Sequence, residues 1–100
     1  MDFKHRVVNV AIQVLPISKT REMYDMVDAA IAVIQKSGLK HEVTPFETVV
    51  EGPYIEVMAL VEAVQCACYD SGAEKLICNL KIQSHQSDRV SIDDKIEKYR

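Results

Sequence analysis

Two segments with apolar residues at helical spacing, set among short β-type segments, restrict what this chain can fold into. The first helix is predicted over residues 20–37, with Thr20 as its N-cap and Gly38 as the left-handed residue that ends it. The second is predicted over residues 53–71 and ends at Gly72. The apolar stripes expected to pack on a core are Met23, Val27, Ala30, Ile31 and Ile34 in the first helix and Val57, Leu60, Val61, Val64 and Cys68 in the second.

Four β-strands are predicted around these helices. Residues 6–15 alternate apolar side chains with polar or small ones, which predicts a strand with one apolar face. Pro16 is expected to end this strand, because proline has no N–H to donate. Two short strands are predicted over residues 39–44 and 46–51, and a fourth over residues 74–84. The first strand would place Val8, Val10, Ile12 and Val14 on one face and Asn9, Ala11 and Gln13 on the other.

The order of these elements predicts the fold. Strand, helix, strand, strand, helix, strand is the order of a ferredoxin-like βαββαβ domain, an α/β plait of two βαβ units with right-handed crossovers. A chain of 100 residues makes one such domain, over residues 1–100. We expect a four-stranded antiparallel sheet with the first and third strands central, the fourth beside the first, and both helices on one face. A segment resembling a capping box at residues 91–94 predicts a short C-terminal helix.

The composition narrows the possible partners. The chain is 48% hydrophobic and 27% charged, as in an ordinary globular domain. A formal net charge of -3, the absence of Trp and an aromatic content of 6% disfavour nucleic-acid binding, which needs clustered positive charge or stacking aromatics. No apolar run approaches the ~20 residues of a membrane span, and the N-terminus lacks a signal-peptide pattern. We therefore expect a cytoplasmic protein without nucleic-acid or membrane partners.

The sequence lacks the usual motifs of catalysis and metal binding. Cys66 and Cys68 are two residues apart on a predicted helix, so their side chains do not face each other, and Cys78 leaves an odd number of cysteines. The three histidines lie on different elements without metal-ligand spacing. Glycine-rich phosphate loops and the nucleophile elbow are also missing. We expect structural cysteines and a non-catalytic protein with no metal and no cofactor, although sequence spacing leaves open a site assembled from distant residues.

The sheet face without helices is predicted to be the functional surface. It would carry Asn9, Ala11 and Gln13 beside the fourth strand, a mixture rich in amides and too apolar for a plain solvated sheet. Asn and Gln are disfavoured in strands unless they have partners, which favours a ligand or subunit interface over a half-wet sheet face. The apolar residues Ala11, Leu15 and Ile77 on this face, together with an edge strand, predict at least a homodimer.

Glu51 is a candidate binding residue because it ends a central strand just before a predicted helix start. One interpretation is that its carboxylate interacts with the positive end of that helix. The other is that it faces a pocket at the end of the sheet and binds a cationic or amidine-like group.

Five segments carry a resemblance to a known family. They are Val14-Leu15-Pro16, residues 37–43, Thr48-Val49-Val50-Glu51-Gly52, Leu80-Lys81-Ile82 and residues 91–100. In this order and spacing they resemble the small thiamine-binding proteins of about a hundred residues, and the resemblance covers nearly the whole chain. One departure lies at residues 83–86, Gln-Ser-His-Gln, where many members have an Asp- and Arg-rich run. A role of that run in anion binding is therefore not carried over.

The resemblance implies a ferredoxin-like homodimer or a tetramer of two dimers. It also implies a non-catalytic protein that binds thiamine or its hydroxymethylpyrimidine part. Glu51 would pair with the aminopyrimidine or balance the thiazolium. Phe46 or Tyr54 would flank a ring, although packing explains each at least as well. The remaining candidate ligand-binding residues are Thr48, Gln13, Asn79 and Asn9.

Two alternatives stay open at this point. Thr48 and Glu51 are separated by an odd number of residues, so a regular strand places them on opposite faces, and we favour Glu51 as the one in the pocket. The alternative function is a regulatory or assembly module that senses another small ligand, such as an amino acid.

Overall fold

The structure, a computed structural model, describes residues 2–86 of the chain. In this part a short 3-10 helix at Phe3–His5 is followed by six elements in the predicted order. The predicted C-terminal helix at residues 91–100 lies outside the described residues. The six elements are β1 (Val7–Ile17), α1 (Met23–Lys36), β2 (Lys40–Val43), β3 (Thr48–Pro53), α2 (Tyr54–Asp70) and β4 (Lys75–Gln83).

The four strands form one antiparallel sheet in the order β2-β3-β1-β4. β1 and β3 are therefore central, and β4 lies beside β1. Both helices pack on the same face of this sheet, because residues of α1, α2, β1 and β3 share a single core. A four-stranded antiparallel sheet with two helices on one face is consistent with the predicted ferredoxin-like plait.

The core lies between the inward face of β1 and the two helices. Val8 and Val10 are fully buried and Ile12 is 4% exposed, as the alternation in the sequence predicted. Burial of one such side chain contributes about 1.5–3 kcal/mol. The five residues predicted for the apolar stripe of α2 are all buried. In α1 the prediction is wrong at Met23, which is exposed as the first helical residue, while Met26 is buried instead.

β1 continues through Pro16 to Ile17, so the prediction that Pro16 ends the strand is wrong. Pro16 lies opposite Leu76 of β4. The pairing of β1 with β3 stops at Ile12, whereas its pairing with β4 continues to Ile17. Beyond Ile12, the side of β1 that faces away from β4 is no longer paired with β3. This part of β1 therefore resembles an edge strand, where a proline is tolerated. Residues 13–17 and 75–79 extend past β3 as a two-stranded arm, which we call the arm below.

The start of α1 differs from the prediction. The N-cap position is Glu22 rather than Thr20, and it makes no side-chain capping bond. Ser18 organises the approach instead, because its Oγ accepts hydrogen bonds from the backbone N–H groups of Thr20 and Arg21 at 3.2 and 3.1 Å. A serine hydroxyl that bonds backbone groups two and three residues ahead closes a tight turn. The helix consequently starts three residues later than expected.

A tight turn at residues 44–47 joins β2 to β3, and it shortens the predicted third strand at its start. The backbone N–H of Thr44 donates to the carbonyl of Glu47 at 2.9 Å. The Thr44 hydroxyl also accepts from the backbone N–H of Glu47 at 3.1 Å. This pair of bonds fixes the backbone of Glu47 immediately before β3 begins at Thr48.

Both helices end as the glycines predicted. Gly38 has φ +77° and Gly72 has φ +116°, which lie in the left-handed region that favours glycine. Within residues 2–86, neither helix combines the length and the apolar character needed to cross a membrane.

Candidate functional site

The candidate site lies on the sheet face opposite the helices, which we call the open face. Side chains alternate along a strand, and residues directly opposite each other on antiparallel strands point to the same side. Since Val8, Val10 and Ile12 point into the core, the odd-numbered residues of β1 and their partners form the open face. The register places Glu51, Asn9 and Gln83 in one row across the sheet, and Val49, Ala11 and Lys81 in the next.

Asn9 and Glu51 form the first polar pair of the open face. They are direct partners on β1 and β3, and the Asn9 Nδ2 donates to the Glu51 Oε1 at 3.4 Å. Asn9 is only 2% exposed although it lies on the open face, and Glu51 is half-buried. The buried amide of Asn9 therefore holds the Glu51 carboxylate in place, and the half-buried carboxylate presents acceptor oxygens to a planar ligand.

Gln13 and Asn79 form the second polar pair, on β1 and β4. The Asn79 Nδ2 donates to the Gln13 Oε1 at 3.1 Å. The two residues are direct partners in the register, with Gln13 half-buried and Asn79 exposed. Gln13 and Asn9 are four residues apart on β1, so the two polar pairs are about 13 Å apart along the strand at ~3.3 Å per residue.

The sheet surface between the two polar pairs carries short, apolar side chains on β1 and β3. Ala11 lies midway between them on β1, with Val49 of β3 as its partner on one side. Both residues are half-buried. Because alanine has only a methyl side chain, the side chains of the open face are shortest at this point, with polar groups at both ends. The arrangement suits an elongated ligand with an apolar middle.

An ion pair spans this surface. The Lys81 Nζ and the Glu47 Oε1 are 3.2 Å apart. Lys81 is on β4 opposite Ala11, and Glu47 directly precedes β3, so the two side chains meet across β1. The Lys81 side chain is 76% exposed and that of Glu47 is 26% exposed. Glu47 was not among the residues predicted from the sequence, although its spacing of two and four residues from Val49 and Glu51 indicates the same face of the sheet.

The structure separates the predicted site residues into two groups. Glu51, Asn9, Gln13 and Asn79 share the open face. Thr48 lies on the opposite side, where it is 5% exposed and pairs with the core residue Ile12. Glu51 is a strand residue inside β3 with its carboxylate beside Asn9, rather than a residue at the helix start.

The two candidate aromatics lie outside the strands of the sheet. Tyr54 is the first residue of α2 and packs against Phe3, with ring centroids 4.9 Å apart and an interplanar angle of 63°. This edge-to-face contact is a packing arrangement. Phe46 is 80% exposed in the turn before β3. Neither aromatic ring is therefore fixed over the apolar surface of Ala11 and Val49.

Two of the cavities lined by residues 2–86 lie away from this surface. One of about 470 Å³ is a groove between α1 and α2, lined mainly by apolar side chains with Lys36 and Glu56 among them. The other, of about 70 Å³, lies beneath the turn before β3 and includes Thr48 among its lining residues. Neither contains a residue of the two polar pairs.

The thiols are not arranged for redox or metal chemistry in the described part of the chain. Cys66 is exposed, Cys68 is buried and Cys78 is half-buried, and all three are free. Burial raises the pKa of the Cys68 thiol, with a smaller contribution from Cys78, and burial also raises the pKa of Cys78. Among residues 2–86, no group of three His, Cys, Asp or Glu side chains is placed to hold a metal ion.

The fold and the open face define a class of protein: a small α/β plait that presents two hydrogen-bonded polar pairs on a sheet face without helices. Within that class, residues 10–100 match the sequence profile of the thiamine-binding protein family. The chain belongs to this family, as its sequence segments indicated.

Known relatives agree in sequence and in structure. The chain is 36% identical over 92 residues to a UPF0045 protein of Clostridium perfringens, a match that covers 92% of this chain and 96% of the relative. A DUF77 domain of unknown function from Bacillus cereus is 39% identical, with a TM-score of 0.93, and the match covers 100% of this chain and 96% of that one. A candidate thiamine biosynthesis/salvage protein from Thermotoga maritima is 31% identical with a TM-score of 0.83, covering 94% of this chain and 99% of that one.

Proposed function

We propose that this protein binds thiamine or its hydroxymethylpyrimidine part on the open face and catalyses no reaction. The observation that carries the proposal is the pair of polar groups at Asn9–Glu51 and Gln13–Asn79, with the apolar surface of Ala11 between them. The family match supports the choice of ligand. The similarity to the candidate thiamine biosynthesis/salvage protein from Thermotoga maritima also supports it.

The chemistry of the ligand fits the first polar pair. An aminopyrimidine has an amino donor next to a ring-nitrogen acceptor, which complements a carboxylate acceptor beside an amide donor. Glu51 offers the carboxylate acceptor for the amino group, and the buried Asn9 amide orients that carboxylate through their hydrogen bond. The pyrimidine ring would then extend over the methyl group of Ala11. A hydrogen bond that involves a charged group contributes about 1.5–3 kcal/mol, so Glu51 is expected to dominate the affinity.

A binding role without catalysis is supported by the groups on the open face. The side chains of the two polar pairs are amides and one carboxylate, without a nucleophile held by a base. The half-buried and buried thiols have raised pKa values, which keeps them protonated and poorly nucleophilic. Three free cysteines also favour a reducing compartment, and we propose a cytoplasmic location on that basis.

Self-association is part of the proposal. Leu15, Ile17 and Ile77 are 36%, 47% and 45% exposed on the arm, and all three belong to the open face. A second copy of the chain that covers this apolar surface would also lie beside the ligand-binding residues. We therefore propose that the protein is a homodimer or a tetramer with the ligand near the subunit interface.

A thermal-shift screen tests the function. The panel contains thiamine, its pyrimidine and thiazole halves, its phosphate esters and the amino acids. A ligand at ~100 times its dissociation constant stabilises the fold by about 2.7 kcal/mol. In a domain of this size each 1 kcal/mol raises the melting temperature by about 4–8 °C, so a specific ligand is easily detected. Stabilisation by an amino acid, with none by thiamine or its pyrimidine, would instead identify the sensing module.

A further inference from the structure

The ion pair between Glu47 and Lys81 lies across the proposed binding surface without being part of the core. The Lys81 side chain is 76% exposed, and exposed ion pairs contribute little to stability because water and salt screen them. The backbone of Glu47, in contrast, is fixed by the two hydrogen bonds to Thr44. One partner is therefore held in place by the turn, whereas the other is a flexible lysine that is free to exchange.

The charges around Ala11 favour a positive partner for Glu47. Within the described part of the open face, three carboxylates are close to Ala11 in the register: Glu42, Glu47 and Glu51. Two ammonium groups, Lys40 and Lys81, share these rows, while Lys75 lies three rows away opposite Ile17. An anionic group that approached Lys81 would meet this excess of carboxylates. A cationic group would be attracted to it.

The spacing matches a ligand made of two linked rings. Lys81 lies in the row of Ala11, two residues along β1 from the row of Asn9 and Glu51, which corresponds to about 7 Å along an extended strand. The Glu47 carboxylate leans across β1 toward Lys81, into the row of Ala11. When one ring of the ligand binds at Glu51 and Asn9, the ring linked to it would therefore lie close to the ion pair of Glu47 and Lys81.

We propose that Glu47 is the residue that selects a cationic ligand, and that the positive ring of the ligand replaces the Lys81 ammonium as its partner. The inference rests on the proposed function, and it divides the binding between two carboxylates. Glu51 with Asn9 holds the neutral aminopyrimidine, and Glu47 pairs with the permanent positive charge of the thiazolium. Lys81 is then a competitor that occupies the cation position in the absence of ligand.

Isothermal titration calorimetry with two probes tests this exchange. Thiamine carries the positive ring, and hydroxymethylpyrimidine is its neutral half. Lys81→Gln removes the competitor and should raise the affinity for thiamine about two- to fivefold, the range that corresponds to an exposed ion pair. Glu47→Gln removes the partner and should lower that affinity about two- to fivefold. Both variants should bind the neutral pyrimidine within about twofold of the unmodified protein.

Matched variants control for charge and for shape. Lys36→Gln removes an exposed lysine from the last turn of α1, away from the open face, and Glu62→Gln removes an exposed carboxylate from α2. Both should bind thiamine as the unmodified protein does. Lys81→Arg keeps a positive partner for Glu47 and should restore the original affinity. At ~1 M salt, where the Debye length is about 3 Å, the differences between variants should disappear.

Four results would overturn the inference. If Glu47→Gln and Lys81→Gln alter the binding of thiamine and of the neutral pyrimidine equally, the pair shapes the site and does not select charge. If thiamine phosphate binds more tightly than thiamine and Lys81→Gln abolishes the difference, Lys81 is an anion site. If the unmodified protein binds neither probe, the proposed function fails and this inference fails with it. Binding of thiamine with no change in either variant overturns the exchange alone.

Discussion

Glu51 is the residue on which the proposed site depends most. It is half-buried on the open face, and its carboxylate accepts a hydrogen bond from Asn9 at 3.4 Å. Glu51→Gln keeps the size and one acceptor but removes the charge. Since a charged hydrogen bond contributes about 1.5–3 kcal/mol, this variant should bind thiamine about 10- to 150-fold more weakly by calorimetry.

Two control variants distinguish binding from stability. Thr48 faces the core side of the sheet at 5% exposure, so Thr48→Val should change the melting temperature more than the affinity for thiamine. Glu56→Gln removes the acidic residue from the first turn of α2 and should cost only about 0.3–1 kcal/mol of stability. If Glu51→Gln lowers the melting temperature and leaves the affinity unchanged, Glu51 is a structural residue.

The thiols differ in exposure, and this difference should be measurable. Cys66 is exposed, whereas Cys68 is fully buried in the core and Cys78 is half-buried. At neutral pH iodoacetamide should therefore modify Cys66 first in the folded protein, with Cys68 following only after unfolding, as peptide mass spectrometry would show. Cys68→Ser should cost about 1–3 kcal/mol because it buries a hydroxyl, and thiamine affinity should not change. A lost affinity in a folded Cys68→Ser variant would contradict a purely structural role.

The raised pKa of Cys68 also sets the sign of a pH dependence. Burial favours the neutral thiol, so the folded-state pKa lies above the unfolded value. The contribution of this thiol to stability is therefore complete below the ordinary pKa of a cysteine. It is lost as the pH rises through the folded-state pKa, because the unfolded chain releases its proton first.

At the scale of single elements, the start of α1 provides a direct test. Ser18 Oγ accepts two backbone hydrogen bonds, from Thr20 and Arg21. Ser18→Ala should lower the free energy of unfolding by about 0.5–1.5 kcal/mol in urea titrations, the typical contribution of a hydrogen bond. Thr20→Ala should change it by less than about 0.5 kcal/mol, as for most surface positions. The opposite ranking would show that Thr20 is the functional cap.

The elements predicted best are those in which the spacing of apolar residues in the sequence follows their burial in the core. The alternation of Val8, Val10 and Ile12 and the stripe of α2 follow from contact with one core, so periodicity identifies them. Pro16 was misjudged because its place in the strand depends on tertiary pairing, whereas Thr20 was wrongly predicted as the N-cap because Ser18 closes a local turn ahead of the helix. Pro16 stays in a strand because β4 continues beside it. The local conformational preference of proline does not predict this pairing.

The candidate site was predictable only in part, for a similar reason. Asn9, Gln13 and Asn79 were placed on one face from strand parity, whereas Glu51 was expected at the end of the sheet and lies instead beside Asn9 on that same face. The contact of Glu47 with Lys81 joins two strands that are not neighbours, and it depends on the bridging of side chains across β1. Sequence spacing predicts which face of the sheet each residue occupies. Whether two side chains can meet across an intervening strand also depends on the order of the strands and on the small size of Ala11.

At the scale of the whole molecule, the arm carries residues for both ligand binding and self-association. β1 and β4 supply both the Gln13–Asn79 pair and the exposed apolar residues Leu15 and Ile77 further along. Leu15 and Ile77 are direct partners in the register, so their side chains form one continuous apolar surface. Covering it with a second copy would bring another subunit next to Gln13 and Asn79. Assembly and ligand binding are therefore expected to be coupled.

Light scattering at micromolar concentration tests this assembly. We expect a mass of two or four times the 11.3 kDa chain. Ile77→Asp places a charge in the apolar surface of the arm and should shift the mass toward one chain, because burial of an unpaired carboxylate is costly. Ile55→Asp changes an equally exposed isoleucine on α2 and should leave the assembly intact. Since the ligand would lie near the interface, Ile77→Asp should also weaken thiamine binding. A mass of 11.3 kDa for the unmodified protein would show that the arm does not mediate self-association.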